Sequence, residues 1–268
     1  MSGRAEPLVA AMRYSALAPG KRLRPVLCLA SAEAVGGDSE AVIDAACALE
    51  LVHAFSLIHD DLPAIDNDAL RRGRPTCHVQ FGEATAILAG DALFAFAFEL
   101  VAGLDVPADR IVRAVQILAQ ASGSDGLVAG EIVDVLTEGK PYDAATLEYI
   151  HSRKTGALLA ASCEMGALLG GGDALQVDAL RKYGTHLGLA FQIADDILNE
   201  TATSDDLGKA AGSDRSRGKA TYPHLHGLDG AREAARIAAE SAIVALPSDL
   251  RNRDFLTALA TFTIQRKS

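Results

Sequence analysis

The chain has 268 residues, of which 49% are apolar and 22% are charged, and its formal net charge at pH 7 is -10. This length can bury a large core, and since no Pro-, Gly- or Ser-rich linker divides it, we predict one domain over residues 1–268. The acidic balance argues against a nucleic-acid surface, which needs a basic footprint.

Cysteine usage and the apolar runs indicate where the protein is found. The four cysteines lack the paired spacing of a disulfide framework or a zinc site, which fits a reducing cytoplasm. The N-terminus has no apolar signal-peptide core, and acidic residues such as Asp91 and Glu99 interrupt the longest apolar runs before they reach membrane-spanning length. We therefore predict a cytoplasmic protein without membrane insertion.

The alanine- and leucine-rich composition, with 5% aromatic residues, is typical of a helical protein. No segment shows sustained alternation of apolar and polar residues, so no strand is predicted. Periodicity and stop signals such as Gly36-Gly37 indicate an all-α, single-domain bundle of about ten helices around a central cavity. The predicted helices cover residues 5–17, 24–35, 38–61, 82–104 (split by Gly90-Asp91), 107–121, 126–137, 142–169, 174–200, 229–245 and 249–265.

Charges are concentrated where the third predicted helix ends. Asp60, Asp61, Asp66 and Asp68 are followed at once by three arginines, Arg71, Arg72 and Arg74. Two like charges about 4 Å apart repel by about 4 kcal/mol at an effective dielectric near 20, so clustered carboxylates favour a hard divalent cation. Guanidinium groups suit phosphate oxygens. The stretch indicates a magnesium and phosphate site, although a solvated acidic helix end running into a charged loop explains it equally well when it is considered alone.

A second pair of adjacent carboxylates, Asp195 and Asp196, lies near the end of another apolar helix. Asp195 and Asn199 are four residues apart and therefore share a helical face. Carboxylates on an apolar helix are costly to bury unless they face a cavity or metal ions. Two acidic helix ends, each followed by lysines or arginines, predict the wall of a bundle cavity that holds cations and a polyphosphate.

With these motifs in order, the chain resembles the trans-isoprenyl diphosphate synthases, most closely the bacterial farnesyl diphosphate synthases, from about Leu8 to Arg266. The resemblance is carried by Gly20-Lys21-Arg22-Leu23-Arg24-Pro25, Asp60 to Asp66 with Arg71-Arg72-Gly73, Lys154-Thr155-Gly156, Phe191-Gln192 before Asp195-Asp196, and Lys219-Ala220-Thr221-Tyr222-Pro223.

The resemblance implies condensation of isopentenyl diphosphate with dimethylallyl and then geranyl diphosphate to give farnesyl diphosphate. It implies three Mg²⁺ ions per site, with Mn²⁺ as a substitute, held by Asp60, Asp61, Asp66, Asp195 and Asp196. The expected contacts to the allylic diphosphate are Arg71, Lys154, Thr155, Gln192, Lys209 and Lys219, and Lys154, Lys209 and Arg71 are also assigned to catalysis. The expected isopentenyl diphosphate pocket is Lys21, Arg24, His53 and Arg72. The family is usually homodimeric.

Product length in such synthases depends on bulk just before the first aspartate. Phe55 and Ser56 are therefore the candidate determinants, and the resemblance favours a fifteen-carbon product. Four residues, Leu62 to Ile65, separate Asp61 from Asp66, as in bacterial farnesyl and plant-type geranylgeranyl synthases. On a continuous helix this spacing would separate Asp60 from Asp66, so Pro63 must bend the chain.

The chain departs from the family pattern at three positions: Asn199 replaces an aspartate, Glu131 a glutamine and Ser213 a lysine. These departures bear on metal affinity and rate. Phe55 can also be an ordinary core residue. The alternatives are a geranyl or geranylgeranyl diphosphate synthase, a non-catalytic diphosphate-binding regulatory subunit, and a class I terpene cyclase, which lacks a basic cluster like Gly20–Pro25 because it binds no second diphosphate.

Overall fold

The computed structural model describes residues 3–201 and 218–266. The described part of the chain is an all-α bundle, as predicted, with twelve α-helices, one π-helix and a two-stranded hairpin. The helices are α1 (Glu6–Ala16), α2 (Leu23–Ala34), α3 (Ile43–Asp60), α4 (Cys77–Phe81), α5 (Glu83–Ala102), α6 (Ala108–Ser122), α7 (Leu127–Thr137), α8 (Ala144–Ile150), the π-helix (His151–Gly156), α9 (Ala157–Leu169), α10 (Ala174–Thr201), α11 (Tyr222–Ala245) and α12 (Arg253–Gln265).

The core is built from α3, which packs against α5, α2 and α9, and from α10, which packs against α9 and α11. Small residues let these helices approach closely: a Cβ at Gly166 would lie 2.0 Å from the backbone oxygen of Cys28, so α9 contacts α2 through backbone. The Tyr183 hydroxyl donates a hydrogen bond of 2.8 Å to the backbone oxygen of Leu256, which joins α10 to α12. The carboxylates at the ends of α3 and α10 are thereby fixed within one bundle.

The predicted long helix over residues 142–169 is wrong in its continuity. The segment begins at Ala144 after Asp143, whose side chain caps α8 by accepting a hydrogen bond from the Thr146 backbone N–H. It then widens into the π-helix before α9 begins. A Cβ at Gly130 would lie 2.1 Å from the backbone nitrogen of Lys154, so α7 is packed directly against this wider turn. Such π-turns are often found at functional sites.

The prediction that the chain has no strand is also wrong, although only four residues form strands. Leu70–Arg71 and Arg74–Pro75 form an antiparallel hairpin, in which Arg71 pairs with Arg74. The two connecting residues both have positive φ, 53° at Arg72 and 75° at Gly73. A two-residue turn with positive φ at both positions matches the right-handed twist of the strands. Strands of two residues are too short to show alternation in sequence.

Other boundaries differ in smaller ways. Helix α5 runs without interruption through Gly90-Asp91, and the short helix α4 was not predicted. Helix α11 begins at Tyr222 and contains a kink at Gly227, where φ is 70°. The predicted start at residue 229 lies just after this kink.

Two helical segments, Glu40–Asp60 and Glu83–Ala102, are long and apolar enough to cross a membrane by length and composition. The expectation that acidic residues keep every apolar run below that length does not hold for them. Helix α3 packs within the core, as helices of soluble proteins with this composition do. The absence of membrane insertion stays a prediction.

Candidate active site

The first acidic helix end is built around the last turn of α3. Asp60 is half-buried, whereas Asp61, at the helix C-terminus, is buried. After Pro63 the chain turns back, and the Asp66 backbone N–H donates a hydrogen bond of 2.8 Å to the Asp60 backbone oxygen. Asn67 continues this turn in the left-handed region, with φ at 53°. The loop therefore brings Asp66 back to the level of Asp60 despite their separation in sequence.

Asp61 is held by a guanidinium group from the hairpin. Arg71 donates to both carboxylate oxygens, with Nε at 2.8 and 3.0 Å and Nη2 at 2.6 Å. This bidentate geometry is the strong form of an arginine–carboxylate pair. Burial alone would lower the pKa of Arg71, but the bonded Asp61 raises it above its usual value. In this structure Arg71 braces the end of α3.

One side of the site is formed by two acidic residues of α7 and by two lysines from other segments. Lys154 Nζ lies 2.7 Å from Glu131 and 2.7 Å from Asp134, which are three residues apart on α7. Lys219 Nζ lies 3.1 Å from Asp66 and 3.8 Å from Asp134. Burial alone would lower the pKa of Lys154, but the carboxylates of Asp60, Asp134 and Glu131 raise it. The Lys154 ammonium is therefore charged at neutral pH.

Glu131 is the departure from the family pattern with the clearest electrostatic effect. Burial, followed by the charge of Asp60, raises the pKa of Glu131 to about 7. Its side chain is 14% exposed, against 21% for its partner Lys154. Lys154 thus balances three neighbouring carboxylates, of which Glu131 is one.

The second acidic helix end divides its two aspartates between different environments. The Asp195 side chain is 42% exposed and forms an ion pair with Arg266, near the C-terminal end of the described chain. Asp196 is 4% exposed. It accepts hydrogen bonds from the Tyr222 backbone N–H at 3.0 Å and from Gln192 Nε2 at 3.1 Å. The buried Asn199, 4% exposed, lies one helical turn beyond Asp195.

One short segment joins the two acidic ends. Lys219 forms an ion pair with Asp66, and three residues later the Tyr222 backbone N–H bonds to Asp196. On the other side, Thr155 of the π-helix donates a hydrogen bond of 2.7 Å to Gln192 of α10. Residues 218–222 and the π-helix therefore connect the end of α3 with α10.

A basic group lies beside these carboxylates, at the start of α2 and on the hairpin. Burial, followed by the charge of Arg266, lowers the pKa of Lys21, whereas Asp195 opposes this shift. Burial lowers the pKa of Arg24 to about 10 and, helped by Arg24, holds the pKa of His53 well below its usual value, so His53 is neutral. The guanidinium of Arg72 donates to the backbone oxygen of Pro19.

A cavity of about 60 Å³ lies between α1, α3 and the hairpin. His53 and Arg72 belong to its wall, together with Tyr14, Arg22, Glu50 and Arg71. Two of the three non-glycine residues with positive φ in residues 3–201 and 218–266, Arg22 and Arg72, line this cavity, and the third is Asn67. Strained backbone of this kind concentrates at functional sites.

Phe55, one of the two candidate length determinants, contacts α5. Its ring lies 4.8 Å from that of Phe94, which in turn lies 5.1 Å from that of Phe98, measured between centroids. Ser56 is 8% exposed and donates a hydrogen bond of 2.9 Å to the His53 backbone oxygen. The aromatic side chains thus fill the space between α3 and α5, more than one helical turn before Asp60.

Sequence reasoning missed four residues that complete the site: Asp134, His151, Tyr222 as a backbone donor, and Arg266. Asp134 could have been found from its spacing, because it follows Glu131 by three residues on a predicted helix. Arg266 could not, since it lies 71 residues from the aspartate that it contacts. The predicted ligand Lys209 and the departure at Ser213 lie outside the described residues.

The carboxylates suit magnesium by their chemistry. Within residues 3–201 and 218–266, no three His, Cys, Asp or Glu side chains form a metal cage by themselves. Mg²⁺ is usually held by one or two carboxylates together with substrate phosphates, so no such cage is needed. The Asp60 carboxylate accepts no hydrogen bond from a described residue. Asp60 is therefore well placed to share a cation with a bound diphosphate, whereas Asp195 would do so beside its ion pair with Arg266.

Comparison with known proteins gives a family match over most of the chain. The family described as "Polyprenyl synthetase" matches residues 5–251. A curated relative, the heterodimeric geranylgeranyl pyrophosphate synthase large subunit 1 of Arabidopsis thaliana, is 53% identical over 232 residues, which is 84% of this chain and 62% of that protein. The chain thus spans about three fifths of that relative's length.

Solved structures share the fold over nearly the whole chain. An FPP/GFPP synthase from Zymomonas mobilis has a TM-score of 0.87 at 38% identity and covers 98% of this chain and 90% of its own. A geranyltransferase from Helicobacter pylori, described as complexed with magnesium and isoprenyl diphosphate, has a TM-score of 0.88 at 33% identity and covers 97% and 88%.

Proposed function

The chain belongs to the polyprenyl synthetase family, and we propose that it is a trans-prenyltransferase that joins isopentenyl diphosphate to an allylic diphosphate. The observation that carries the proposal is the union of two acidic helix ends with separate groups of cations. Asp60 and Asp195 belong, with Lys154 and Lys219, to a site for one diphosphate and its metal ions. Lys21, Arg24 and Arg72 supply a second cationic site. A reaction between two diphosphates needs both.

Each group of residues has a distinct task in this reaction. Asp60 and Asp195, with Asp66 nearby, would hold Mg²⁺, which would supply Lewis-acid charge to a departing diphosphate. The charged ammonium groups of Lys154 and Lys219 stabilise the negative charge that develops on the leaving oxygen. The guanidinium and lysine groups near α2 orient the second substrate so that its double bond meets the allylic carbon.

The apolar walls exclude water from the reacting carbons. An allylic cation in contact with water would be quenched, so the chain's contribution here is burial. None of the described side chains is assigned as the proton acceptor. By the family resemblance, the departing diphosphate, held close by the two lysines, takes the proton.

We propose farnesyl diphosphate as the product because of the aromatic side chains below Asp60. Phe55, Phe94 and Phe98 occupy the space between α3 and α5, and a growing chain that enters this space would meet Phe55 first. Geranylgeranyl diphosphate is the second candidate, supported by the names of the curated relatives from Arabidopsis thaliana and Capsicum annuum.

A homodimer is supported by the surface of α5. Ile87, Leu88 and Phe96 on this helix expose 42%, 58% and 39% of their surface, and exposed apolar surface can mark an interaction site. A second copy of the chain is the proposed partner. The cytoplasmic location and the exclusion of nucleic acid as a partner remain predictions from the sequence.

The test is incorporation of labelled isopentenyl diphosphate in the presence of dimethylallyl diphosphate and Mg²⁺. The proposal predicts an elongated prenyl diphosphate that requires all three components. Consumption of the allylic diphosphate without isopentenyl diphosphate would instead indicate a cyclase. Binding of diphosphates without elongation by folded protein would indicate a regulatory subunit.

A further inference from the structure

His151, the first residue of the π-helix, is a buried polar side chain that the proposed reaction does not use. The residue is 3% exposed, and its Nε2 lies 3.4 Å from Oδ2 of Asp196. Its ring is stacked on that of Tyr222, with centroids 5.4 Å apart and planes 20° apart. Its Nδ1 is buried without a hydrogen-bond partner among the described residues. The proton therefore belongs on Nε2, where Asp196 can accept it.

His151 and Thr155 attach both ends of the π-helix to α10. Thr155 donates a hydrogen bond of 2.7 Å to Gln192, and Gln192 donates one of 3.1 Å to Oδ1 of Asp196. Gln192 therefore contacts one oxygen of Asp196 and His151 approaches the other. Lys154 lies between the two attached residues.

The same contacts reach the segment that carries the second lysine. The Tyr222 backbone N–H bonds to Oδ2 of Asp196, the oxygen that His151 approaches, while the Tyr222 ring covers the imidazole. Lys219 lies three residues earlier and forms its ion pair with Asp66. Movement of His151 would therefore disturb Lys154 on one side and Lys219 on the other.

We propose that His151 is a positioning residue for the diphosphate site: it holds Asp196 and Tyr222 so that Lys154 and Lys219 converge on the same ligand. The proposal rests on the proposed function. A ring kept only to fill space would be better as phenylalanine, because a buried nitrogen without a partner is costly. The retained Nε2 contact is what a phenylalanine cannot supply.

Backbone contacts hold the rest of the π-helix in place, which makes the role of His151 separable from folding. A Cβ at Gly130 would lie 2.1 Å from the Lys154 backbone nitrogen, and one at Gly188 would lie 2.8 Å from the Gly156 Cα. Helices α7 and α10 therefore enclose the middle and the C-terminal end of the π-helix, and the His151 side chain takes no part in these contacts. Replacing the imidazole should change local geometry and leave the bundle folded.

The experiment compares His151→Phe, which keeps the stacked ring, with His151→Gln, whose amide nitrogen can occupy the position of Nε2. His226→Phe is the matched control, because His226 also contacts the Tyr222 ring, at 5.4 Å, yet is exposed and near the start of α11. The measurement is the rise in melting temperature caused by MgCl₂ with inorganic diphosphate, followed by kcat and KM for the allylic substrate.

We expect His151→Phe to melt within a few degrees of the wild type without ligand, to lose more than half of the ligand-induced rise, and to have a kcat about tenfold lower with a raised KM. His151→Gln should recover most of the rise, and His226→Phe should match the wild type. A full rise and unchanged kinetics in His151→Phe would overturn the proposal. Equal losses in the Phe and Gln variants would also overturn it, since a donor returned to the position of Nε2 would then restore nothing.

Failure of the proposed function would look different. A wild type that is stabilised by Mg²⁺ and diphosphate but makes no prenyl product would remove the proposed reaction, while a rise lost selectively in His151→Phe would still support the positioning role. If His151→Phe does not fold, His151→Gln decides: a normal ligand-induced rise supports the proposal, and a lost rise in a normally melting protein overturns it.

Discussion

Each of the two acidic helix ends carries a pair of adjacent aspartates with similar burial, but the buried aspartate of each pair has different partners. In each pair the first aspartate, Asp60 or Asp195, is half-buried, and the second, Asp61 or Asp196, is buried. Asp61 is neutralised by the Arg71 guanidinium of the hairpin. Asp196 accepts hydrogen bonds from the Tyr222 backbone N–H and from Gln192, which are neutral groups.

This difference shows that a pair of adjacent aspartates is not two equivalent metal ligands. Successive residues on a helix point about 100° apart, so one faces the site while the other faces the bundle. The buried member then needs partners of its own, and those partners come from distant segments that close the site. The half-buried members, Asp60 and Asp195, face the site, where Asp195 also pairs with Arg266.

The largest expected effect is on turnover when a half-buried member loses its charge. Asp60→Asn and Asp195→Asn should each lower prenyl transfer at least a hundredfold, because a neutral amide holds Mg²⁺ weakly. Incorporation of labelled isopentenyl diphosphate measures this. Asp229→Asn, at a surface position in α11, is the control and should keep the wild-type rate. Near-normal activity in either active-site variant would dismiss its assignment as a metal ligand.

The next largest effect is on the free energy of unfolding, which should fall by different amounts when each buried aspartate is replaced. Asp61→Asn leaves the Arg71 guanidinium without its charged partner and should cost about 2–3 kcal/mol of unfolding free energy, reduced because Arg71 is partly exposed. Asp196→Asn keeps one acceptor oxygen but turns the other into an amide NH2 that faces a donor, and should cost about 1–2 kcal/mol. Chemical denaturation of both variants gives the comparison. An equal or reversed order would show that the difference in partners has no energetic consequence.

A smaller effect concerns Glu131, whose folded-state pKa of about 7 lies above the usual value of 4.5. Between these values the folded state binds more protons than the unfolded state, so stability falls as the pH rises from about 4.5 to about 7. Glu131→Gln removes this loss and should be more stable than the wild type by about 1–2 kcal/mol above pH 7, with no gain below pH 4.5. Melting temperatures across this range would show a constant difference if the prediction is wrong.

The smallest expected change is one five-carbon unit in the product. Phe55→Ala opens the space beside Phe94 and Phe98, so the main product should lengthen from fifteen to twenty carbons. Chromatography of the dephosphorylated products measures this, with Phe81→Ala, on α4, as a comparison of similar volume change. An unchanged product distribution would assign Phe55 to the core.

Most helices and both acidic ends could be predicted from the sequence, because long apolar periodicity and clustered charge are local signals. The π-helix could not, since it depends on the close approach of Gly130 from α7. The hairpin escaped because Arg72-Gly73 is not a usual turn pair and Arg72 adopts a left-handed conformation. The sequence pattern also treats Asp195 and Asp196 alike, although their partners, Arg266 and Tyr222, come from distant segments.

The claim that the two acidic helix ends form one site is tested most directly by calorimetric titration of inorganic diphosphate with Mg²⁺ into the wild type, Asp60→Asn and Asp195→Asn. One shared site predicts that each single variant weakens binding at least tenfold, while the melting temperature of Asp60→Asn without ligand stays close to the wild-type value. Wild-type affinity in either variant would contradict the account, because the diphosphate would then need only one of the two ends.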